Sequence, residues 1–313
     1  MNEVSKIQYV ELTESNFHFV IPLFKASYNR SISLDKLKKK YHFPGFHTKY
    51  LGVYLFNNEE AIGFTGLIPC PVAYKGESAW AAQFVDTMII PSWRGKNLFA
   101  DMLHKLKDLA AKNGFVFCFV FANQRSAHPT LHKANWILVK RMIGFEIKNR
   151  SMVLPKLARI FRNNSYYLRW TKFLLKQLIV PYTKDAFSQS NESLHLVHDQ
   201  RFIEHKQSPN HFIINISNVI YWIRIGAKFL EVGFVQDTNE AFLLESTAIL
   251  VKISKLLLLE GVLFEVTEES SLAICLMKKY NHFESWPVLY TDIRSEFPID
   301  TFQLQYADVD SFW

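Results

Sequence analysis

Residues 89–99 read IIPSWRGKNLF, a strand end that breaks at Pro91-Ser92 and passes through Arg94, Gly95, Lys96 and Asn97 into an apolar-periodic segment opened by Leu98 and Phe99. Two cations and a glycine where a strand turns into a helix suit an anion. The first N–H groups of a helix lack an intrahelical acceptor, and the macrodipole there favours negative charge. Just upstream, Asp86 interrupts the apolar run QFVDTMII at 83–90. Burying an unpaired carboxylate costs free energy, so Asp86 is either a working group (a general base or substrate anchor) or a core aspartate held by hydrogen bonds. The sequence leaves both open. Regular strand alternation puts Asp86 on the same face as Met88 and Ile90. Downstream, Asn123, Ser126 and His128 share the stretch ANQRSAHPTLHK. His128, ahead of Pro129, reads as a proton relay or as a cap or surface residue at a helix start.

These residues need elements to hold them. YLGVYLF at 50–56, AIGFTGLIPCPVAY at 61–74 and AWAAQFVDTMII at 79–90 read as strands joined at Asn57-Asn58 and Gly76, which predicts an antiparallel meander. From Leu98 the period changes: Leu98, Phe99, Met102, Leu103, Leu106, Leu109 and Ala110 recur at helical spacing, with Gly114 as the C-terminal cap. FVFCFVF at 115–121 is the continuous apolar run of a strand buried on both faces. A short helix over 125–134 and a strand from Trp136 to Met142 complete the half.

The second half repeats this order, with strands at 211–217, 219–225 and 228–235, a helix over 240–260 ended by Gly261, a strand at 262–266 and a helix at 270–280. Gly114 and Gly261 take the same place in the two series, which predicts an internal duplication about 147 residues apart. The fold class expected is α/β with a mixed sheet (α+β), built as two halves, each an antiparallel meander followed by helix–strand–helix–strand. Domains are expected at 1–150 and 191–313, with a basic helical connector over 151–190.

Of the 313 residues, 49% are hydrophobic and 15% aromatic, which suits two ordinary domains and argues against disorder. Cys70, Cys118 and Cys275 form no CxxC pair and no metal spacing, so no metal site is expected; they read as buried reduced thiols of a cytoplasmic protein. The first residues, MNEVSKIQYVELTESNF, lack a signal-peptide core, and no window of about 18 apolar residues suggests a membrane span. The net charge of +7 is concentrated: between Glu146 and Asp185 there is no acid but nine bases, Lys148, Arg150, Lys156, Arg159, Arg162, Arg169, Lys172, Lys176 and Lys184, leaving the rest near −2. A nucleic-acid-binding surface spread over the protein is therefore not expected. Within that segment, YYLRWTKFLLKQLIV puts Arg169, Lys172 and Lys176 on one helical stripe, as in a packed inter-domain helix with a solvated basic face. The other reading is an interfacial helix at an anionic lipid surface. No HxxxH, nucleophile elbow or Walker loop gives a foothold to zinc hydrolase, serine hydrolase or P-loop chemistry.

PSWRGKNLFADML after a strand, with FVFCFVFANQ after the helix, resembles the GCN5-related N-acetyltransferase (GNAT) superfamily, whose acyl-CoA motif is Arg/Gln-x-x-Gly-x-Gly/Ala at this turn. In that superfamily the turn's amides bind the CoA pyrophosphate, and the preceding strand pairs with the pantetheine arm. The resemblance implies acetyl-CoA as co-substrate, held by Met88, Ile89, Ile90, Arg94, Gly95, Lys96, Asn97, Leu98 and Phe99. Asn123 would contact pantetheine, with Ser126 at the next helix start. Arg94 matches the first motif position and Gly95-Lys96 the common RGKG form. Asn97 replaces the middle glycine, a mild departure because Asn tolerates the left-handed conformation; Phe99 replaces the last and requires a packed helix start.

QFVDTMIIPSWRGKNLF followed by ANQRSAHPTLHKANW, together with the closing LQYADVDSFW, looks like a tandem GNAT-like subgroup associated with surface-polysaccharide biosynthesis. The motif-bearing likeness covers about residues 50–146; the second half resembles the fold only. Its equivalent turn, VQDTNEAF at 235–242, has Asp237 and Glu240 and no glycine. Carboxylates at a helix start satisfy the dipole and repel a pyrophosphate, so only the first half is expected to bind CoA.

Acyl transfer from a thioester to an amine requires positioning, a base for the ammonium proton and stabilisation of an oxyanion. The leaving thiol has a pKa of about 8.5, so a general acid helps without being indispensable. The catalytic candidates are Asp86 and His128. The tyrosine that many superfamily members use as acid falls on Leu131, with His132 beside it as a weak substitute. The expected function is a cytoplasmic acyl-CoA-dependent N-acyltransferase, an N-acetyltransferase acting on a small amine such as an amino sugar. Two alternatives stand beside it. One is a catalytically silent GNAT-like module that binds a ligand or partner. The other is a tandem-GNAT aminoacyl transferase, which would need an extended basic groove for charged tRNA.

Overall fold

In the computed structural model, which describes residues 7–149, 165–294 and 297–312, the chain divides into two units. One takes the chain up to Val139 and then Pro287–Asp300; the other takes Lys140–Trp286 and the chain from Thr301. Both carry the expected mixture of antiparallel and parallel strands with helices.

The first unit contains β1 (Ile7–Glu11), α1 (Val20–Tyr28), α2 (Leu34–Tyr41), β2 (Leu51–Asn57), β3 (Glu60–Tyr74), β4 (Glu77–Ile89), α3 (Leu98–Lys112), β5 (Phe117–Phe121) and α4 (Gln124–Lys133). β1 to β4 form the predicted meander, and β5 joins parallel to β4. The turns follow local chemistry: Asn58 takes φ 52°, and Lys75 and Gly76 take φ 48° and 83°, the doubly positive pattern of a tight hairpin. Leu103, Leu106, Leu109 and Ala110 of α3 pack on Leu51, Val53, Leu67 and Phe84, so the helical period in the sequence marks a true core face. Gly114, at φ 81° just after the helix, is the expected cap. On the other face, Tyr41 of α2 meets Phe17 and Phe64 edge-on. β1, α1 and α2 are not among the expected elements; in α2, Ser33 caps the helix start and Leu37 and Tyr41 are the two buried residues of eight.

β6 (Ile137–Lys148) runs past the predicted end at Met142. The second unit then holds α5 (Ser165–Leu175), β7 (His195–Leu196), α6 (Gln200–Lys206), β8 (His211–Ile216), β9 (Val219–Ile225), β10 (Phe229–Val235), α7 (Glu240–Leu256), β11 (Gly261–Thr267) and α8 (Ser271–Met277); β12 spans Phe283–Asp292. β8, β9 and β10 are antiparallel, β11 lies parallel to β10, and β6 pairs antiparallel with β11. In the first unit, Val288–Asp292 of β12 pair with β5.

Gly261 departs from the expectation. α7 stops at Leu256, the left-handed residue is Leu258 at φ 58°, and Gly261 begins β11. A Cβ at Gly261 would meet the Ile147 carbonyl oxygen at 2.2 Å, so close approach to β6 requires glycine there rather than a cap. Of the expected connector, Tyr167 and Leu175 of α5 belong to the second unit's core. Arg150, Lys156, Arg159 and Arg162 lie outside the described residues, as do residues 1–6 of the N-terminal segment read above.

Candidate functional site

β4 and β5 part company. Their parallel register covers Ala82↔Cys118 and Gln83↔Phe119, preceded by a bond from the Val116 amide to the Trp80 carbonyl oxygen, and among the described residues it goes no further along β4. β4 then bulges: its register with β3 shifts between Phe64 and Gly66, and Asp86 takes φ 52°. A bulge adds a residue, bends the strand and re-aims its side chains. Beyond it, Met88 and Ile89 still face β3, opposite Phe64 and Gly63. Among the described residues, no strand pairs with their other edge. The Tyr28 hydroxyl donates to the Thr87 carbonyl oxygen at 3.2 Å, and Arg94 Nε donates to that of Ile89 at 2.9 Å.

The bulge also overturns the expected alternation around Asp86. Asp86 and Thr87 are both half-buried between buried Val85 and Met88, so Asp86 does not share a regular face with Met88 and Ile90. Its carboxylate accepts from Lys40 Nζ and the Tyr41 hydroxyl, each at 2.7 Å, with the Lys40 and Asp86 side chains both 12% exposed. Lys40, Tyr41 and Tyr28 were missed by the sequence reading. They sit in α1 and α2, whose sequence has no motif, and only tertiary contact links them to β4.

The turn after β4 has the backbone its sequence suggested. Pro91–Trp93 form one 3₁₀ turn, Gly95 takes φ 81°, and Asn97 takes φ 60°, so asparagine supplies the left-handed residue in place of glycine. α3 starts at Leu98 with no side chain capping its first amides. A Cβ at Gly95 would meet nothing within 4 Å. Lys96 Nζ lies 3.8 Å from the centre of the Trp93 ring, and Lys133 Nζ donates to Asn97 Oδ1 at 2.8 Å. Leu98 and Phe99 pack on a cluster of Leu55, Ile62, Ile89 and Met102. Open space at Gly95, amides that the Asn97 side chain does not cap, and the cations Arg94, Lys96 and Lys133 lie at one helix start, with Asp101 as the acid of its first turn; three cations to one acid still fit a phosphate or pyrophosphate.

The other candidates lie at the end of β5. Asn123 Oδ1 accepts from the Arg125 and Ser126 amides at 2.9 and 3.0 Å, and Ser126 Oγ accepts from the Asn123 amide at 3.0 Å, a reciprocal box that closes the start of α4. His128 is exposed on α4, its ring 4.5 Å from that of His132. Cys118, where the two strands still pair, is fully buried, and burial pushes its thiol up, so it is no nucleophile. Among the described residues, no group of three or more His, Cys, Asp or Glu side chains is placed to hold a metal ion.

The second unit has the corresponding split, and it is filled. β10 and β11 pair over Phe229↔Gly261 to Val232↔Phe264, and β10 then shifts register around Gly233. Into the gap runs the segment around Gln305. The Thr267 amide donates to the Leu304 carbonyl oxygen at 2.9 Å, Val266 bridges to Gln305, and Gln305 Oε1 accepts from the Val235 amide at 2.8 Å. Buried and half-buried side chains hold this segment: His198 Nε2 bonds Asp308 Oδ1 at 2.6 Å, Lys206 Nζ donates to the Ala307 and Val309 carbonyl oxygens, and half-buried Arg224 donates to that of Ser311. The start of α7 is capped by Asn239 Oδ1, which accepts from the Phe242 amide at 3.0 Å, and Glu240 pairs with Lys278. The capping atom thus comes from Asn239 rather than from Asp237 or Glu240.

No family model matches the sequence, and comparison with curated proteins returns no match. Solved structures do resemble it. A conserved Enterococcus faecalis protein named a probable N-acyltransferase superposes with a TM-score of 0.63 at 10% identity, over 93% of this chain and 73% of that one. A GCN5-related N-acetyltransferase from Kribbella flavida gives 0.61 at 10% identity, over 93% and 72%. Another from Anabaena variabilis gives 0.54 at 8% identity, over 91% and 72%. At such identities the likeness is one of fold: over most of its length, the chain has the fold of GCN5-related N-acetyltransferases.

Proposed function

We propose that the first unit is an acyl-CoA-dependent N-acyltransferase, with acetyl-CoA as its donor. The observation that carries this reading is the contrast between two equivalent splits. The one between β4 and β5 has no strand pair past Gln83↔Phe119 among the described residues and ends at a helix start without a side-chain cap, beside the Arg94, Lys96 and Lys133 cations. The one between β10 and β11 is filled by Gln305 and its neighbours, beside a capped helix start. One donor site per chain follows, and the second unit acts as scaffold.

In this reading the edge at Met88, Ile89 and Ile90, which no strand pairs with among the described residues, receives the pantetheine arm. The amides of Gly95, Lys96, Asn97, Leu98 and Phe99 take the pyrophosphate, with the Arg94 and Lys96 charges beside them. Asn123 and Ser126, whose side chains close the start of α4, lie at the end of β5 as the further donor-binding candidates. When bound, the donor supplies the thioester. The chain's own residues place the amine, take its proton and exclude water. Asp86, fixed by Lys40 and Tyr41, anchors or deprotonates the amine; His128 and the Tyr28 hydroxyl are the further proton-handling candidates. A small amine such as an amino sugar is the acceptor suggested by the tandem subgroup's association with polysaccharide biosynthesis, and the cytoplasm is the compartment in which acyl-CoA and reduced thiols coexist.

The test is a thermal-shift titration with acetyl-CoA and CoA. Either should raise the melting temperature by mass action, and Gly95→Trp should abolish the shift while the unliganded protein still folds. No shift at about millimolar CoA, well above an ordinary site's Kd, would refute the reading. A shift without turnover on any amine would favour the silent ligand-binding module instead.

A further inference from the structure

α5 presents an exposed ridge of aromatic side chains. Tyr166, Trp170 and Phe173 are 75%, 48% and 70% exposed, whereas Tyr167, Thr171 and Leu175 on the opposite face are buried. The spacing i, i+4, i+7 puts the three aromatics on one line along the helix. Trp170 and Phe173 stack at 6.3 Å. Arg169, Lys172 and Lys176, all exposed, form a stripe along one flank of that ridge. Beyond the helix, Ile179 is 41% exposed, and a groove of about 780 Å³ opens beside Lys172, Phe173 and Lys176. Glu204 is the acid that lines the groove, and it accepts from Gln200 Nε2 at 2.7 Å.

Such a surface is unusual for a face turned to water. Contiguous exposed apolar side chains mark an interaction site rather than chance exposure. The residue types narrow the partner. Trp and Tyr favour the boundary between hydrocarbon and water, where the ring is buried and its polar edge stays wet. Lys and Arg beside them reach lipid phosphates with their heads while their stems lie along apolar surface. The segment also carries the chain's excess charge, with nine bases and no acid between Glu146 and Asp185. Complementarity therefore calls for a partner that is both negatively charged and apolar beneath its surface.

We infer that α5 docks the protein on an anionic bilayer, lying in the headgroup layer with Tyr166, Trp170 and Phe173 inserted and Arg169, Lys172 and Lys176 on lipid phosphates. No helix among the described residues is long and apolar enough to cross a membrane, so the contact is peripheral. This inference is independent of the acyltransferase reading and requires no bound donor.

Vesicle co-sedimentation of the full chain tests it. The wild type should sediment with vesicles of phosphatidylcholine and phosphatidylglycerol, not with phosphatidylcholine alone, and added salt should release it. Neutralising the stripe (Arg169→Gln, Lys172→Gln, Lys176→Gln) should lower the partition coefficient roughly a hundredfold, the product of three basic contacts. Tyr166→Ser, Trp170→Ser and Phe173→Ser together should also abolish retention while leaving the melting temperature intact. Should that triple variant fail to fold, Phe173→Ser alone should weaken retention measurably. Failure of the wild type to bind anionic vesicles, or undiminished retention of a folded aromatic variant, would overturn the inference. So would light scattering that shows a wild-type dimer dispersed by the aromatic changes, since the ridge would then face a second copy.

Discussion

Gln305 holds Val235 from both sides of its backbone: the side-chain oxygen accepts the Val235 N–H at 2.8 Å, and Nε2 donates to the Val235 carbonyl oxygen at 3.4 Å. A side chain thus substitutes for a strand partner at the point where β10 has left β11. Val235 is buried, so Gln305→Ala leaves a backbone donor and acceptor unmet. It should cost about 1–3 kcal/mol, read as a lowered urea midpoint. Because this plug remains in the wild type, calorimetry should find one CoA per chain; two equivalent sites would contradict the contrast between the units.

Asp86→Asn separates the two roles open to this residue. If the carboxylate serves the amine, turnover should fall by roughly a hundredfold or more, the scale of a lost general base, with CoA affinity nearly unchanged. If it serves only Lys40 and Tyr41, the melting temperature should fall while the rate per folded molecule holds. Measuring both on the same preparation decides between them, and a normal rate would move the search to Tyr28 and His128.

Gly66 makes room for the Tyr41 ring: a Cβ there would lie 2.1 Å from Tyr41 Cε1 and 2.5 Å from its hydroxyl. Gly66→Ala should therefore push Tyr41 off Asp86. Tyr41 is fully buried, so the ring has little room to move and destabilisation of about 1–3 kcal/mol is expected. Tyr41→Phe keeps the ring and drops only the hydroxyl; its smaller loss of stability in the same denaturation assay measures the bond to Asp86.

Burial lowers the pKa of His195 from the ordinary 6.5, against the opposing pull of the Ser193 carbonyl oxygen at 2.8 Å; the neighbouring His198 lowers it further and Asp308 raises it. The unfolded chain takes up this proton near pH 6.5 and the folded chain resists it, so the unfolded state binds more protons below that value. Stability from this residue is therefore fully present above about pH 6.5 and declines as pH falls below it. Urea midpoints measured at about pH 7.5 and about pH 5.5 should show the decline. His195→Gln should flatten it, and an unchanged slope would assign the acid sensitivity elsewhere.

The strand and helix order was legible in local pattern for β2 to β6 with α3 and α4 and for β8 to β11 with α7 and α8, but not for β1, α1, α2, β7, α6 or β12. Alternation and apolar runs marked β2 to β5, helical spacing marked α3 and α7, and Gly114 marked a cap. Asn97, standing where the resembled motif has glycine, is of a type that tolerates the left-handed conformation it adopts. Gly261 misled, because a glycine kept for close backbone approach looks the same in sequence as one kept for a positive φ.

By itself the sequence determined whatever depends on neighbours along the chain: periods, turns, the cation-bearing start of α3 and the basic character of the segment around α5. The tertiary structure alone decided that Asp86 meets Lys40 and Tyr41 across 46 and 45 residues, and that Gln305 enters the second split across 70. It also decided that Tyr166, Trp170 and Phe173 face outward rather than into a core. Local propensity acts over a few residues. Which carboxylate is paired, which strand edge is open and which apolar face is covered depend on contacts between distant segments, and these form only when the chain folds.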